Sequence, residues 1–177
     1  MALSMYEASI PVLVRFLKHF SAMLDKAEEY AKEQKIDPVV LANARLAPDM
    51  YPLINQVQLA SDAAKGCAAR LAGMEVPSFA DTEKSFAELQ KRIARTLDFI
   101  KGIPSERFEG SEDRPITVRL PKRELSFTGR DYLLYFVQPN LYFHVVTAYA
   151  ILRHQGVGLG KMDFLGSPDS LTAANRI

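Results

Sequence analysis

Between Arg130 and Gln155 the chain reads RDYLLYFVQPNLYFHVVTAYAILRHQ, and no other stretch narrows its possible folds as much. As an α-helix this stretch makes about seven turns, and its apolar side chains leave no wide polar stripe. Leu134, Leu141, Val145 and Leu152 fall on one line, Tyr135, Tyr142, Val146 and Tyr149 on a second, and Leu133, Val137, His144 and Ile151 on a third. A helix of that kind has to be covered on most sides. Arg130, Asp131, Gln138, Asn140, His144 and Arg153 break up any run of roughly 18 apolar residues, so a membrane span is excluded. The pattern predicts the central helix of a bundle, with one face available to a subunit interface.

The chain's 177 residues suit one domain, expected over 1–166 and followed by a polar, frayed tail at 167–177. Lys and Arg number 22 against 21 Asp and Glu, a formal net charge of +1, and that balance implies no general attraction to nucleic acid or anionic lipid. Cys67 is the single cysteine and has no internal disulfide partner. The start, MALSMYEASIPVLVRF, lacks the basic residues and unbroken apolar core of a signal peptide. Both features predict a cytoplasmic protein.

Ser4 and Glu7 have capping-box spacing, with Ser9 a second possible start, and Ile10, Leu13, Leu17, Phe20 and Leu24 continue a first helix to about Gln34. Pro11 then falls in a first turn or a kink. Asp37 and Pro38 predict a short helical turn. A second long helix, between Tyr51 and Leu71, carries Val57, Ala60, Ala64, Cys67 and Ala68, a stripe small enough for close helix approach, and Gly73 closes it. Asp81 or Thr82 is the expected cap of a third, whose stripe is Phe86, Leu89, Ile93, Leu97 and Ile100. From Pro115 to Phe127 the period changes to two, which predicts a β-hairpin turning at Pro121 to Arg123. Thr128 and Asp131 cap the last long helix, and Gly156 ends it.

Metal binding is the first chemistry to weigh, because helical bundles often hold ions on inward histidines. His19, His144 and His154 are the three histidines. His144 and His154 are separated along one helix by about 15 Å of rise and point in different directions, and the position one turn after His144 is Ala148. A site would need His144, His19 and an oxygen ligand such as Asp49; the simpler reading makes His144 a hydrogen-bonded core or interface residue, and Asp49 a dipole-favoured carboxylate in a helix's first turn. A softer constellation is polar: Asn55, Gln56 and Gln58 on the second long helix, and Gln138, Asn140, Tyr142 and His144 on the last. With Tyr51 and Tyr135 these predict either a small ligand pocket or interhelical hydrogen bonds that set register. Cys67 sits among alanines, which predicts a buried, inert thiol. No nucleophile elbow or phosphate loop is present, and Lys122 and Arg123 read as a solvated turn.

Three segments, MYEASIPVLVRFLKHFSAMLDKA, NARLAPDMYPLINQVQLASDAAKGCAARLAG and FVQPNLYFHVVTAYAILRHQGVGLGKMDFLG, resemble an uncharacterised bacterial branch of the DinB/YfiT-like superfamily, a domain of unknown function. The resemblance runs from about Ser4 to Gly166, and RLAPDM and LGKMDFLG are its most specific parts. It implies a mainly α fold, an up-up-down-down four-helix bundle with a short β-hairpin before the last long helix, and a homodimer. Other members carry zinc or nickel on three histidines, one from the second helix and a HxxxH pair from the last, and some are thiol S-transferases or hydrolase-like enzymes. Here His144 matches one position of that pair, but Ala148 stands in its partner's place and the second helix offers Asn55, Gln56 and Gln58. The expectation is therefore a dimeric small-ligand-binding or structural bundle that has lost the metal site, using Tyr51, Asn55, Gln58, Gln138, Tyr142 and His144 and no cofactor. The alternative that the resemblance implies is a metal-dependent enzyme with a degenerate zinc or nickel site around His144, Asp49 and His19.

Overall fold

Four long helices, α1 (Met5–Gln34), α3 (Leu53–Leu71), α4 (Phe86–Lys101) and α6 (Gln138–His154), enclose one apolar core. Shorter α-helices accompany them, α2 (Pro38–Ala42) and α5 (Gly129–Asp131) between long helices and α7 (Lys161–Leu165) after the last, and a 3-10 turn, Ser105–Phe108, follows α4. The structure is a computed structural model that describes residues 3–166, so the tail expected at 167–177 lies outside the described residues.

Local chemistry sets most of the boundaries. Ser4 caps α1, its hydroxyl accepting from the Glu7 N–H while the Glu7 carboxylate accepts from Ser4 N. Pro11 lies inside the helix, so the Glu7 carbonyl loses its intrahelical partner there. Lys35 ends α1 in the left-handed conformation (φ 56°), and Asp37 then caps α2 with Pro38 at its first position. Helix α4 starts later than its sequence predicts: Ser85, with Glu88, forms its capping box, in place of Asp81 or Thr82. The reciprocal bond needs an acid three residues after the cap, and Asp81 and Thr82 have none there.

The directions of the long helices follow from their cross-contacts. Helix α6 runs with α1: Gln138 bonds to Ala8 O, Tyr142 packs on Phe16, and Gly156 approaches Tyr30. Helix α3 runs against α6, since Gln56 meets His144 and Arg70 meets Tyr132. Helix α4 runs against α1, with Gln90 on Ser21 and Asp25, and Phe108 just beyond it on Tyr6. The order is therefore up, down, down, up, which replaces the up-up-down-down connections implied by the resemblance. The segment between α3 and α4 makes this possible: extended chain covers up to about 3.3 Å per residue, enough to return along the roughly 28 Å of α3 before α4 begins.

The hairpin forms where the period of two predicted it, β1 (Pro115–Leu120) pairing antiparallel with β2 (Arg123–Thr128), Ile116 opposite Phe127 and Val118 opposite Leu125. Ile116 and Val118 turn into the core. At the next corner Gly129 passes so close to the Ser111 carbonyl that a Cβ there would overlap it.

The last long helix is continuous but not uniform. Residues Tyr132–Val137 form a π-helical turn between α5 and α6. Pro139 explains it: proline has no N–H to give, its ring crowds the carbonyl four residues back, and a wider turn just upstream absorbs the misfit. The π turn also rephases the faces. Leu133, Val137, His144 and Ile151 are buried as their line predicts, but Leu134 (43% exposed), Tyr135 (75%), Phe143 (57%) and Val146 (46%) look outward. The helix is thus covered on most sides, and one apolar face is bare. Among the described residues no helix is long and apolar enough to cross a membrane.

Candidate functional site

Gln56, on the first turns of α3, and His144, in the middle of α6, face each other across the antiparallel helix pair. Gln56 Nε2 donates to the main-chain carbonyl of Tyr51 at 2.9 Å, which turns its Oε1 towards the imidazole. His144 Nδ1 lies 2.8 Å from that oxygen. An amide oxygen only accepts, so Nδ1 carries the proton and Nε2 holds a lone pair. Burial of the ring, 8% exposed, lowers its pKa from 6.5 to about 4, so His144 is neutral near pH 7. Among the described residues the enclosed polar side-chain atoms without a partner are Ser61 Oγ, Arg92 Nε and Ser111 Oγ. Nε2 of His144 has no protein partner among the described residues. Beside it the exposed Phe143 stands edge-on to the imidazole, ring centroids 5.4 Å apart.

The remaining residues expected at a pocket separate into two other places. Asn55 donates to Gln58, and Gln58 to Glu83 at 2.9 Å, so both face the α3–α4 connection. Gln138 donates to Ala8 O, and Tyr142 packs on Phe16 at 4.8 Å, so both face α1. Tyr135 is bare to solvent. Only Tyr51, through its carbonyl, and His144 are joined, and Gln56 joins them.

The residues implied for a metal do not fit one. His19 donates through Nδ1 to Phe164 O at 2.9 Å, and Asp49 lies exposed in a turn before α3 instead of in the helix's first turn. His144 has Ala148 one turn later and an amide oxygen at its Nδ1 in place of a second imidazole. Among the described residues no three His, Cys, Asp or Glu side chains come together as a metal-holding group. Cys67 is fully buried, and burial pushes its thiol far above the usual range, which fits an inert packing residue.

One polar centre was not among the sites expected from the sequence, although Gln58 borders it and Asp81 belongs to it. Arg92 of α4, buried to 4% exposure, gives Nη1 to Glu83 and Ala80 O and Nη2 to Asp62 and Asp81, all between 2.9 and 3.3 Å. Burial opposes the charge on both Glu83 and Arg92. Bonds from Gln58 and Arg92 still hold Glu83 below its ordinary pKa, and Glu83 holds Arg92 above its own. The guanidinium of Arg95 lies 3.9 Å from the ring centroid of Phe79, and Lys65 reaches both that ring and Asp62. A cleft of about 220 Å³ opens here beside Phe79, Thr82, Lys91 and Arg95. The signal was present in the sequence: Arg92 follows Leu89 by three and precedes Ile93 and Thr96 on the buried side of α4. A cation at a core position needs anions, and the α3–α4 connection supplies two of them.

The four long helices, the hairpin and the up-down-down-up order define a DinB-like helical bundle. The crystal structure of a DinB family member protein from Shewanella denitrificans superposes on this chain with a TM-score of 0.83, at 41% identity over 92% of each chain. The family model described as a domain of unknown function, DUF1993, matches residues 5–165, and the chain belongs to that family. No curated protein matches it.

Proposed function

We propose that this chain is a dimeric binding module of the cytoplasm that works without a metal, taking a small molecule with a hydrogen-bond donor at the mouth between α3 and α6. The observation that carries the reading is the single tautomer of His144. Gln56 holds Nδ1–H, burial keeps the ring neutral, and Nε2 keeps its lone pair on a ring that lies against the exposed Phe143, which supports a reading of the site as one oriented acceptor beside an aromatic surface. A donor group on a ligand would complete it, with the aromatic rings supplying contact area. The dimer half rests on the bare face of α6. From Tyr132 to Ala150 the helix carries no Asp, Glu, Lys or Arg, and an uncharged stripe can meet its own copy with no like-charge repulsion.

Two measurements test it. Sedimentation at micromolar concentration is expected to give twice the chain mass, returning to one chain mass in Phe143→Glu; a wild-type monomer contradicts the dimer. A thermal-shift screen of small hydroxyl- and amine-bearing compounds is expected to give hits that disappear in His144→Phe; hits that persist in that variant contradict the site.

A further inference from the structure

Helix α7 lies against α1 and is held there residue by residue. The ring of Phe164 is 5.1 Å from that of Phe16, which stands against Tyr142 of α6. His19 Nδ1 donates to Phe164 O at 2.9 Å, and Arg15 Nη2 to Leu165 O at 2.5 Å. Lys26 Nζ meets Asp163 Oδ1 at 2.7 Å, while the other oxygen of that carboxylate accepts from Gly160 N. Helix α1 therefore engages an acidic side chain, an aromatic ring and two successive main-chain carbonyls. Main-chain hydrogen bonds combined with side-chain pockets are how proteins recognise peptides.

The occupant is only lightly committed to this place. None of the five residues of α7 is fully buried, and Lys26 is half exposed at its ion pair. Val157 and Leu159 are buried and anchor the connection from α6, so freedom begins at Gly160. A Cβ at Gly160 would meet nothing within 4 Å, and its φ is not in the left-handed region. Shape does not demand glycine there, and its effect is to widen the conformations open to a detached segment. Few buried contacts and an exposed ion pair place α7 among the parts of a fold that open first.

We propose that Arg15, Phe16, His19 and Lys26 of α1, with Tyr142 of α6, form a peptide-binding groove that α7 fills as a tethered occupant. When α7 swings out about Gly160, the groove takes in trans an acidic–aromatic peptide segment of the Asp-Phe-Leu type. The tether gives α7 a large effective concentration, so the closed form hides the groove from a free peptide. Apparent affinity for that peptide scales with the open fraction, and loosening the occupant therefore tightens binding.

The test is fluorescence anisotropy of a labelled Gly-Lys-Met-Asp-Phe-Leu-Gly peptide with the full chain. Phe164→Ala is expected to bind it at least about tenfold more tightly than the wild type, and Asp163→Ala to shift in the same direction by less. Adding Lys26→Glu to Phe164→Ala should remove the gain, and a peptide with Lys in place of Asp should recover it. Phe164→Ala and Asp163→Ala chains that keep native circular dichroism yet bind the peptide no better than the wild type overturn the proposal. If Phe164→Ala does not fold, Asp163→Ala, which removes the Lys26 ion pair and the bond from Gly160 N but no apolar contact, decides by the same criterion.

Discussion

The side-chain amide oxygen Oε1 of Gln56 and the Nδ1 of His144, 2.8 Å apart, join the first turns of α3 to the middle of α6 and set the protonation state of the ring. Replacing Gln56 with Leu leaves a buried N–H and the Tyr51 carbonyl without their partner, a loss of about 1–3 kcal/mol. The double variant Gln56→Leu/His144→Phe, which removes both polar partners, should recover part of it. Urea unfolding of the four forms of this cycle reads the coupling; strictly additive losses would deny that the two side chains act as a pair.

The same ring predicts a pH dependence. Its folded pKa of about 4 lies below the ordinary 6.5, so between those values the unfolded chain binds more protons than the folded one, and stability falls as pH drops through that window. The full effect is about 3 kcal/mol, gained back by raising the pH above 6.5. In His144→Phe this contribution disappears. Unfolding midpoints of the two proteins from pH 4 to pH 7 provide the check, and parallel curves would count against a neutral, buried imidazole.

Arg92 ties the α3–α4 connection to both helices that it links. Arg92→Met leaves Glu83, Asp62 and Asp81 without their shared cation, at a cost of about 2–3 kcal/mol after allowing for the water that reaches Asp62 and Asp81. Arg92→Lys should recover little, because one ammonium cannot reproduce the two-sided fork. Asp81→Ala, at an exposed partner, should cost under about 1 kcal/mol. Equilibrium unfolding ranks the three, and limited proteolysis should find new cleavage within 72–85 in Arg92→Met alone.

Two glycines give a contrast in sterics. Gly129→Ala forces a Cβ onto the Ser111 carbonyl, main chain that cannot rotate away, and should cost about 3 kcal/mol or more. Gly158→Ala meets nothing within 4 Å and should be neutral or slightly stabilising. Melting temperatures decide, and a tolerated Gly129→Ala would contradict the tight approach at this corner.

What the sequence disclosed and what it hid divide along physical lines. Short-range rules governed the ends of α1, the cap at Asp37, the period-two hairpin and the Thr128 cap, and each is legible because its partners lie within a few residues. Pro139 was equally visible, yet its consequence, the π turn that turns Leu134 and Tyr135 outward, depends on how a helix absorbs a missing N–H while packed on both flanks. The residues grouped as one pocket share semi-buried helical positions, but helical position does not say which neighbour a side chain meets. Asn55 and Gln58 turn to Glu83, Gln138 and Tyr142 turn to α1, and Gln56 alone reaches His144. Arg92 escaped notice because two of its three anions come from the connection, whose path exists only once α3 and α4 run in the same direction.

The central claim is that His144 is a neutral, amide-oriented imidazole and not a ligand to a resident ion. Nitrogen-15 NMR of the histidine rings in untagged protein at pH 7 tests it directly. The account predicts a protonated Nδ1 and a bare Nε2 for His144, unchanged by a chelator. A ring signal that moves on chelation, with stoichiometric zinc or nickel lost in His144→Ala, would contradict it.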